Sequence, residues 1–171
     1  MNIDSFHTVI LPMKDKLFRL AYSIVREQAE AEDIVQDVLV KLWSKRDEWK
    51  YIENLEAYCF RVTKNTSLDR LASMSVRKTG VIDPEKENIF FVDNRSPLSE
   101  MERKEQRSAI GQCIEMLSEN QRLVFTLREI EGMSYREIAE ALAISEDLVK
   151  ISLHRARQKM KEMLSVYHKY E

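Results

Sequence analysis

Residues able to do covalent chemistry are sparse in this 171-residue chain, and nothing in their spacing brings them together. Cys59 and Cys113 both fall within helical patterns and read as structural thiols. With only 3 histidines and 2 cysteines, and no spaced cluster of them, a zinc site has no sequence support. There is no serine–histidine–acid arrangement, no glycine loop that could cradle a phosphate, and no carboxylate pair in a plausible pocket. Asp33 and Asp37 could in isolation suggest a metal. Lacking a partner motif, they read better as a solvated or protein-binding face. Met160 and Met163 read as core. No catalytic residue and no cofactor is therefore assigned.

The chemistry that remains is recognition of a polyanion. Net charge is only −2, but its distribution is uneven. Residues 108–147 carry a net −5 and residues 148–171 a net +4, a step that suggests a local electrostatic footprint. Across 148–163, Val149, Leu153, Ala156, Met160 and Met163 fall on one helical face, and Lys150, Ile151, His154, Arg155 and Gln158 on the other. Lys and Arg can read guanine O6 and N7 in a major groove, and an apolar side chain can meet a thymine methyl. Ile151 stands out because a merely solvated helix would carry a polar side chain there. The alternative is an ordinary C-terminal helix packed on a partner protein. A second aromatic–basic cluster, KRDEWKYIEN (45–54), interleaves Trp49 and Tyr51 with Lys45, Arg46 and Lys50. Stacking platforms beside basic groups suit single-stranded nucleic acid. The alternative for Trp49 is an aromatic tucked into the core.

Helices must position these groups. The chain has 3 Gly and 3 Pro, too few for a many-stranded sandwich or barrel, and 44% hydrophobic with 33% charged residues argues against disorder. The periodicity predicts helices over about 5–26, 29–45 and 55–75. Ile34, Val35, Val38, Leu39 and Leu42 share one face of the second, with Asp33, Gln36, Asp37 and Val40 opposite. In the third, Arg61, Lys64 and Asn65 line one side. Pro84, Pro97 and Gly80, among Asp, Asn and Ser, mark a flexible linker over 79–97. The expectation is an all-α chain of two small helical domains, 1–78 and 98–171. Ser96-Pro97 opens a helix to about Leu117. Ser118–Gln121 and Ser134–Glu137 read as capping boxes, and Gly132 as a left-handed stop. Ser145 caps the last helix after a three-residue break, so 134–163 spells helix-turn-helix. No apolar run approaches the ~18 residues of a membrane span, and the N-terminus lacks the features of a signal peptide. Two unpatterned cysteines suit a reducing, cytoplasmic setting.

The chain resembles the sigma factors of bacterial RNA polymerase, specifically the small extracytoplasmic-function type. AEDIVQDVLVKLW (31–43) is similar to the polymerase-binding helix of region 2. LEAYCFRVTKNTSLDRL (55–71) is similar to its promoter-reading helix, with Arg61, Asn65 and Asp69 at the family spacing. Residues 117–164 resemble region 4. The resemblance implies a first domain that binds the beta-prime clamp helices of core RNA polymerase and opens the −10 element, and a second that reads the −35 element and contacts the beta flap. By position it implies Asp33, Gln36 and Asp37 for polymerase, Trp49, Tyr51, Arg61, Lys64 and Asn65 for the −10 element, and Lys150, Ile151, His154, Arg155 and Gln158 for the −35 element. Asn65 matches the position that contacts the flipped −10 base. The resemblance also implies an anti-sigma partner. One departure stands out: where the family has Gly-Thr, this chain has Asp147-Leu148, and Ile151-Ser152 replaces a small-then-basic pair. The −35 sequence therefore does not follow by analogy. The runner-up is a stand-alone helix-turn-helix regulator, which would not need the acidic face at Asp33 and Asp37. A further alternative is a protein that mimics a sigma factor to titrate a partner.

Overall fold

A computed structural model describes residues 2–79 and 109–168, and every regular element in them is helical. A lead-in of short turns, Asn2–Ser5, Phe6–Ile10 and Leu11–Met13, precedes α1 (Lys14–Val25). The single helix expected over 5–26 is thus interrupted. Pro12 has no N–H to donate, and its ring crowds the preceding turn, so the backbone there widens and then tightens rather than continuing as a regular helix. α2 spans Gln28–Ser44, a tight turn spans Arg46–Tyr51, and α3 spans Leu55–Thr79. After the undescribed stretch come α4 (Ala109–Glu115), α5 (Glu119–Phe125) with a wide turn over Thr126–Ile130, α6 (Tyr135–Leu142) and α7 (Glu146–His168). The reading of Ser96-Pro97 as a helix start lies outside the described residues, as does the linker expected over 79–97 apart from Thr79, which ends α3.

Local sequence accounts for most of these boundaries. Asn54 starts α3 by accepting a hydrogen bond from the Ala57 N–H at 3.0 Å. Ser134 starts α6 by accepting from the Glu137 N–H, and Ser145 starts α7 by accepting from the Leu148 N–H, both at 3.1 Å. The capping box expected at Ser118–Gln121 does not form. Ser118 has the extended backbone of a cap but makes no side-chain cap bond, and the buried Gln121 Oε1 has no partner among the described residues. That helix start is exposed, so water can serve the first-turn N–H groups instead. Gly132 is left-handed at φ +70°, a backbone that favours glycine although a Cβ would find open space. The Arg128 guanidinium holds this corner by donating to the Met133 carbonyl at 2.8 Å and lying over the Tyr135 ring. Ala143 takes the left-handed position after α6, at φ 56°.

α3 packs on α1 and α2 and also on α6, while α7 packs on α4, α5 and α6. A single apolar core therefore runs through both sets of helices. Leu17, Leu20 and Ile24 of α1, Ile34, Val35 and Val38 of α2, and Phe60 of α3 join Leu127, Ile138, Leu142, Val149 and Leu153. A satellite core beneath α4 and α7 contains Cys113, Leu117, Ala156 and Met160. Burial pushes the Cys59 thiol up to about 12 and raises Cys113 as well, so both stay protonated and inert at neutral pH.

Candidate nucleic-acid interface

The last helix presents what its periodicity promised. Val149, Leu153, Ala156 and Met160 are buried, and Lys150, Ile151, His154, Arg155 and Gln158 are all exposed. α6 braces it from behind, with Ile138, Ala139, Ala141 and Leu142 buried. Arg157 turns back to pair with Glu129, Nε to Oε1 at 2.7 Å, which ties α7 to the wide turn after α5. The five exposed residues of the outer face are thus displayed on a braced rod.

The second cluster divides. Tyr51 is exposed, with the Lys50 ammonium 5.0 Å from its ring centre. Trp49 is only 7% exposed and stacks parallel to Phe6 in the core, so it is not a surface platform for a base. Of the two readings open for Trp49, a stacking surface for the −10 element or an aromatic tucked into the core, its burial takes the second and corrects its assignment to the −10 face. The tight turn over Arg46–Tyr51 directs Trp49 inward, where burying an indole gains more than exposing it. The Arg46 guanidinium covers the half-buried Trp43 instead.

The acidic face is organised from within. Arg70 of α3 donates Nη1 to Glu30 and to Asp33, both at 2.7 Å, and Nη2 to Asp37 at 2.8 Å. These bonds hold the Arg70 guanidinium firmly protonated. Gln36 is exposed on the same face, and Val40 stands 69% exposed beside it. Position along the chain had not pointed to Arg70, because its three partners lie on another helix, 33 to 40 residues away.

Arg61 and Lys64 have partners that the sequence did not suggest. α6 ends at Leu142, and its last carbonyls need donors from outside the helix. Arg61 Nη2 donates to the Glu140 carbonyl, and Lys64 Nζ donates to the Leu142 carbonyl at 3.1 Å. Cations at a helix C-terminus also complement its dipole. Arg26, at the end of α1, does the same for α4 by donating to the Glu115 carbonyl at 3.1 Å. Asn54 Nδ2 reaches the Glu140 carboxylate at 3.2 Å. Arg19 holds Glu131 with two bonds, of 2.6 and 3.0 Å, and these raise its affinity for its proton further. Together these bonds clasp the α1–α3 set to the α4–α7 set. Asn65 is exposed, one residue along from Lys64.

Among the described residues no group of acids, cysteines and histidines is placed to hold a metal, and no helix is long and apolar enough to cross a membrane.

Comparison with known proteins agrees with this geometry. The sigma-70 region 2 family model matches residues 10–75, and the sigma-70 region 4 model matches residues 107–160. The RNA polymerase sigma-E factor of Streptomyces avermitilis is 30% identical over 159 residues, spanning 93% of this chain and 84% of that one. The ECF RNA polymerase sigma factor SigW of Bacillus subtilis is 25% identical over 167 residues, spanning 94% and 89%. Among solved structures, the sigma factor RpoE in complex with the anti-sigma factor NepR from Bartonella quintana superposes with a TM-score of 0.69 at 25% identity, over 94% of this chain and 97% of that one. CnrH in complex with the cytosolic domain of CnrY shares the fold, at a TM-score of 0.67 and 23% identity, over 95% and 89%.

Proposed function

The chain belongs to the sigma-70 family of RNA polymerase sigma factors, and on that premise we propose how its residues divide the work of promoter-directed transcription initiation. The observation that carries the reading is the outer face of α7, where Lys150, Ile151, His154, Arg155 and Gln158 are exposed on a helix braced by α6. A helix so displayed enters a major groove, its cations contacting phosphates and guanine edges of the −35 element. The α3 face with Arg61, Lys64 and Asn65 serves the −10 element. An amide such as Asn65 both donates to and accepts from a base edge. Tyr51 offers a stacking surface to an unpaired base. The α2 face with Asp33, Gln36 and Asp37 docks on the beta-prime clamp helices of core polymerase, and the C-terminal set on the beta flap. The polymerase makes the phosphodiester bonds and this chain supplies the choice of promoter, in the cytoplasm where that enzyme works.

The clasp bears on this reading. DNA phosphates and the carbonyls of α6 compete for the same donors on Arg61 and Lys64. In the closed arrangement the −10 face is therefore engaged, and the chain must open on joining the polymerase. An anti-sigma protein, of the kind that accompanies RpoE in its solved complex, is the remaining partner; it acts by keeping the chain from the polymerase. A stand-alone helix-turn-helix regulator has no need of residues 10–75, which match region 2.

Reconstituted run-off transcription tests the proposal. Core polymerase plus this chain should yield discrete transcripts from a set of genomic fragments, and core alone none. Binding to polymerase without transcripts would instead favour a sigma mimic that titrates its partner.

A further inference from the structure

The exposed face of α7 is not uniformly polar. Ile151 is 48% exposed and lies opposite the buried stripe of Val149, Leu153, Ala156 and Met160. Leu148, three residues earlier and so adjacent on the helix surface, is 42% exposed. Around this apolar strip stand Lys150, His154 and Arg155, all exposed, and Asp147 lies one turn before Ile151. The helix therefore shows an apolar centre within a basic frame.

We propose that Ile151, with Leu148 beside it, reads the C5-methyl group of a thymine in the −35 element. This rests on the assignment of α7 to the major groove. The floor of that groove offers acceptors on guanine, donors on cytosine, both on adenine, and one apolar group, the thymine methyl. A branched alkyl side chain pressed against a polar base edge strips it of water and returns no hydrogen bond. Against a methyl it buries apolar surface on both sides. The base pair under Ile151 is therefore A·T, with its thymine methyl toward the helix. The flanking cations favour a polyanionic duplex over an apolar protein surface as the occupant, because a protein groove that took Ile151 would also have to desolvate three basic side chains.

The test uses holoenzyme and a promoter pool randomised across the −35 region. Bound sequences should show an invariant thymine, and replacing it with deoxyuridine removes the methyl alone. Wild-type holoenzyme should lose about fourfold in affinity, the worth of one buried methyl. Holoenzyme carrying Ile151→Ala should show a clearly smaller deoxyuridine penalty than wild type, since only Leu148 then remains beside the methyl. An absent thymine preference, or an equal deoxyuridine penalty in wild type and Ile151→Ala, overturns the proposal. Lys150→Ala and Arg155→Ala separate this from failure of the underlying reading. If they weaken −35 binding while deoxyuridine is neutral, α7 reads the groove without the methyl contact. If they too are neutral, α7 is not the −35 reader and both readings fall.

Discussion

Removing Arg19 should open the chain, because the partner it leaves behind is buried. The Glu131 side chain is only 3% exposed while that of Arg19 is 46% exposed. A fully exposed pair contributes ~0.2–1 kcal/mol. Stranding one member of a fully buried pair costs ~3–5 kcal/mol. This pair lies between, since water screens the guanidinium but not the carboxylate, so Arg19→Ala should destabilise the closed arrangement by about 2 kcal/mol. Opening returns Glu131 to water, so the open fraction should rise by roughly thirtyfold. Apparent affinity scales with the competent fraction, and binding of the free chain to a promoter fragment should improve by up to the same factor. Fluorescence energy transfer between labels at Lys16→Cys and Lys161→Cys, both exposed positions, reports the opening directly. The native thiols are buried and will not take the dye. Gln28→Ala is the control, since its bond to Glu32 lies within α2. Unchanged energy transfer together with unchanged promoter binding in Arg19→Ala would refute the reasoning and leave the closed arrangement to the apolar core and the bonds from Arg26, Asn54, Arg61 and Lys64.

Four further outcomes are expected. Asp37→Arg should abolish binding to core polymerase in a pull-down while circular dichroism keeps its helical signal; because the new cation also faces Arg70, Asp37→Asn should be tested beside it and should weaken binding less. Asn65→Ala, at an exposed position, should impair open-complex formation measured by permanganate footprinting and leave core affinity unchanged. Asp147→Ser should lower the melting temperature slightly, since a first-turn carboxylate favours the helix dipole by ~0.3–1 kcal/mol, yet tighten −35 binding by removing a charge that phosphates repel; weaker binding would mean that the carboxylate contacts a base or orients a neighbouring cation. The raised Cys59 thiol ties stability to alkaline pH: below about 9 both states hold the proton, whereas between about 9 and about 12 only the unfolded thiol ionises. Urea midpoints should therefore fall across that window, less so in Cys59→Ala, and neither cysteine should react with a thiol reagent at pH 8 until the chain is unfolded.

Helix periodicity, caps and the outer face of α7 were legible in the sequence because they are local. The spacing of Val149, Leu153, Ala156 and Met160 dictates which side of α7 is buried, and so which side carries Lys150, Ile151 and Arg155. Ser134 and Ser145 announce the helix starts they cap, within three residues of the N–H groups they serve. Trp49 was ambiguous for the converse reason. Its neighbours in sequence are charged, and only the approach of Phe6, more than forty residues away, makes the core its place. Gln121 followed a capping pattern, but the pattern does not say whether its partner has water to prefer.

What only the tertiary structure decided is which charges meet. Arg70 gathers Glu30, Asp33 and Asp37 across a helix pair. Arg61 and Lys64 spend their donors on the carbonyls ending α6, some eighty residues on. Sequence shows that a residue carries a charge and which helical face it occupies. The free energy of a charge pair depends on distance and on exclusion of water, and both are set by how helices distant in the chain pack against one another.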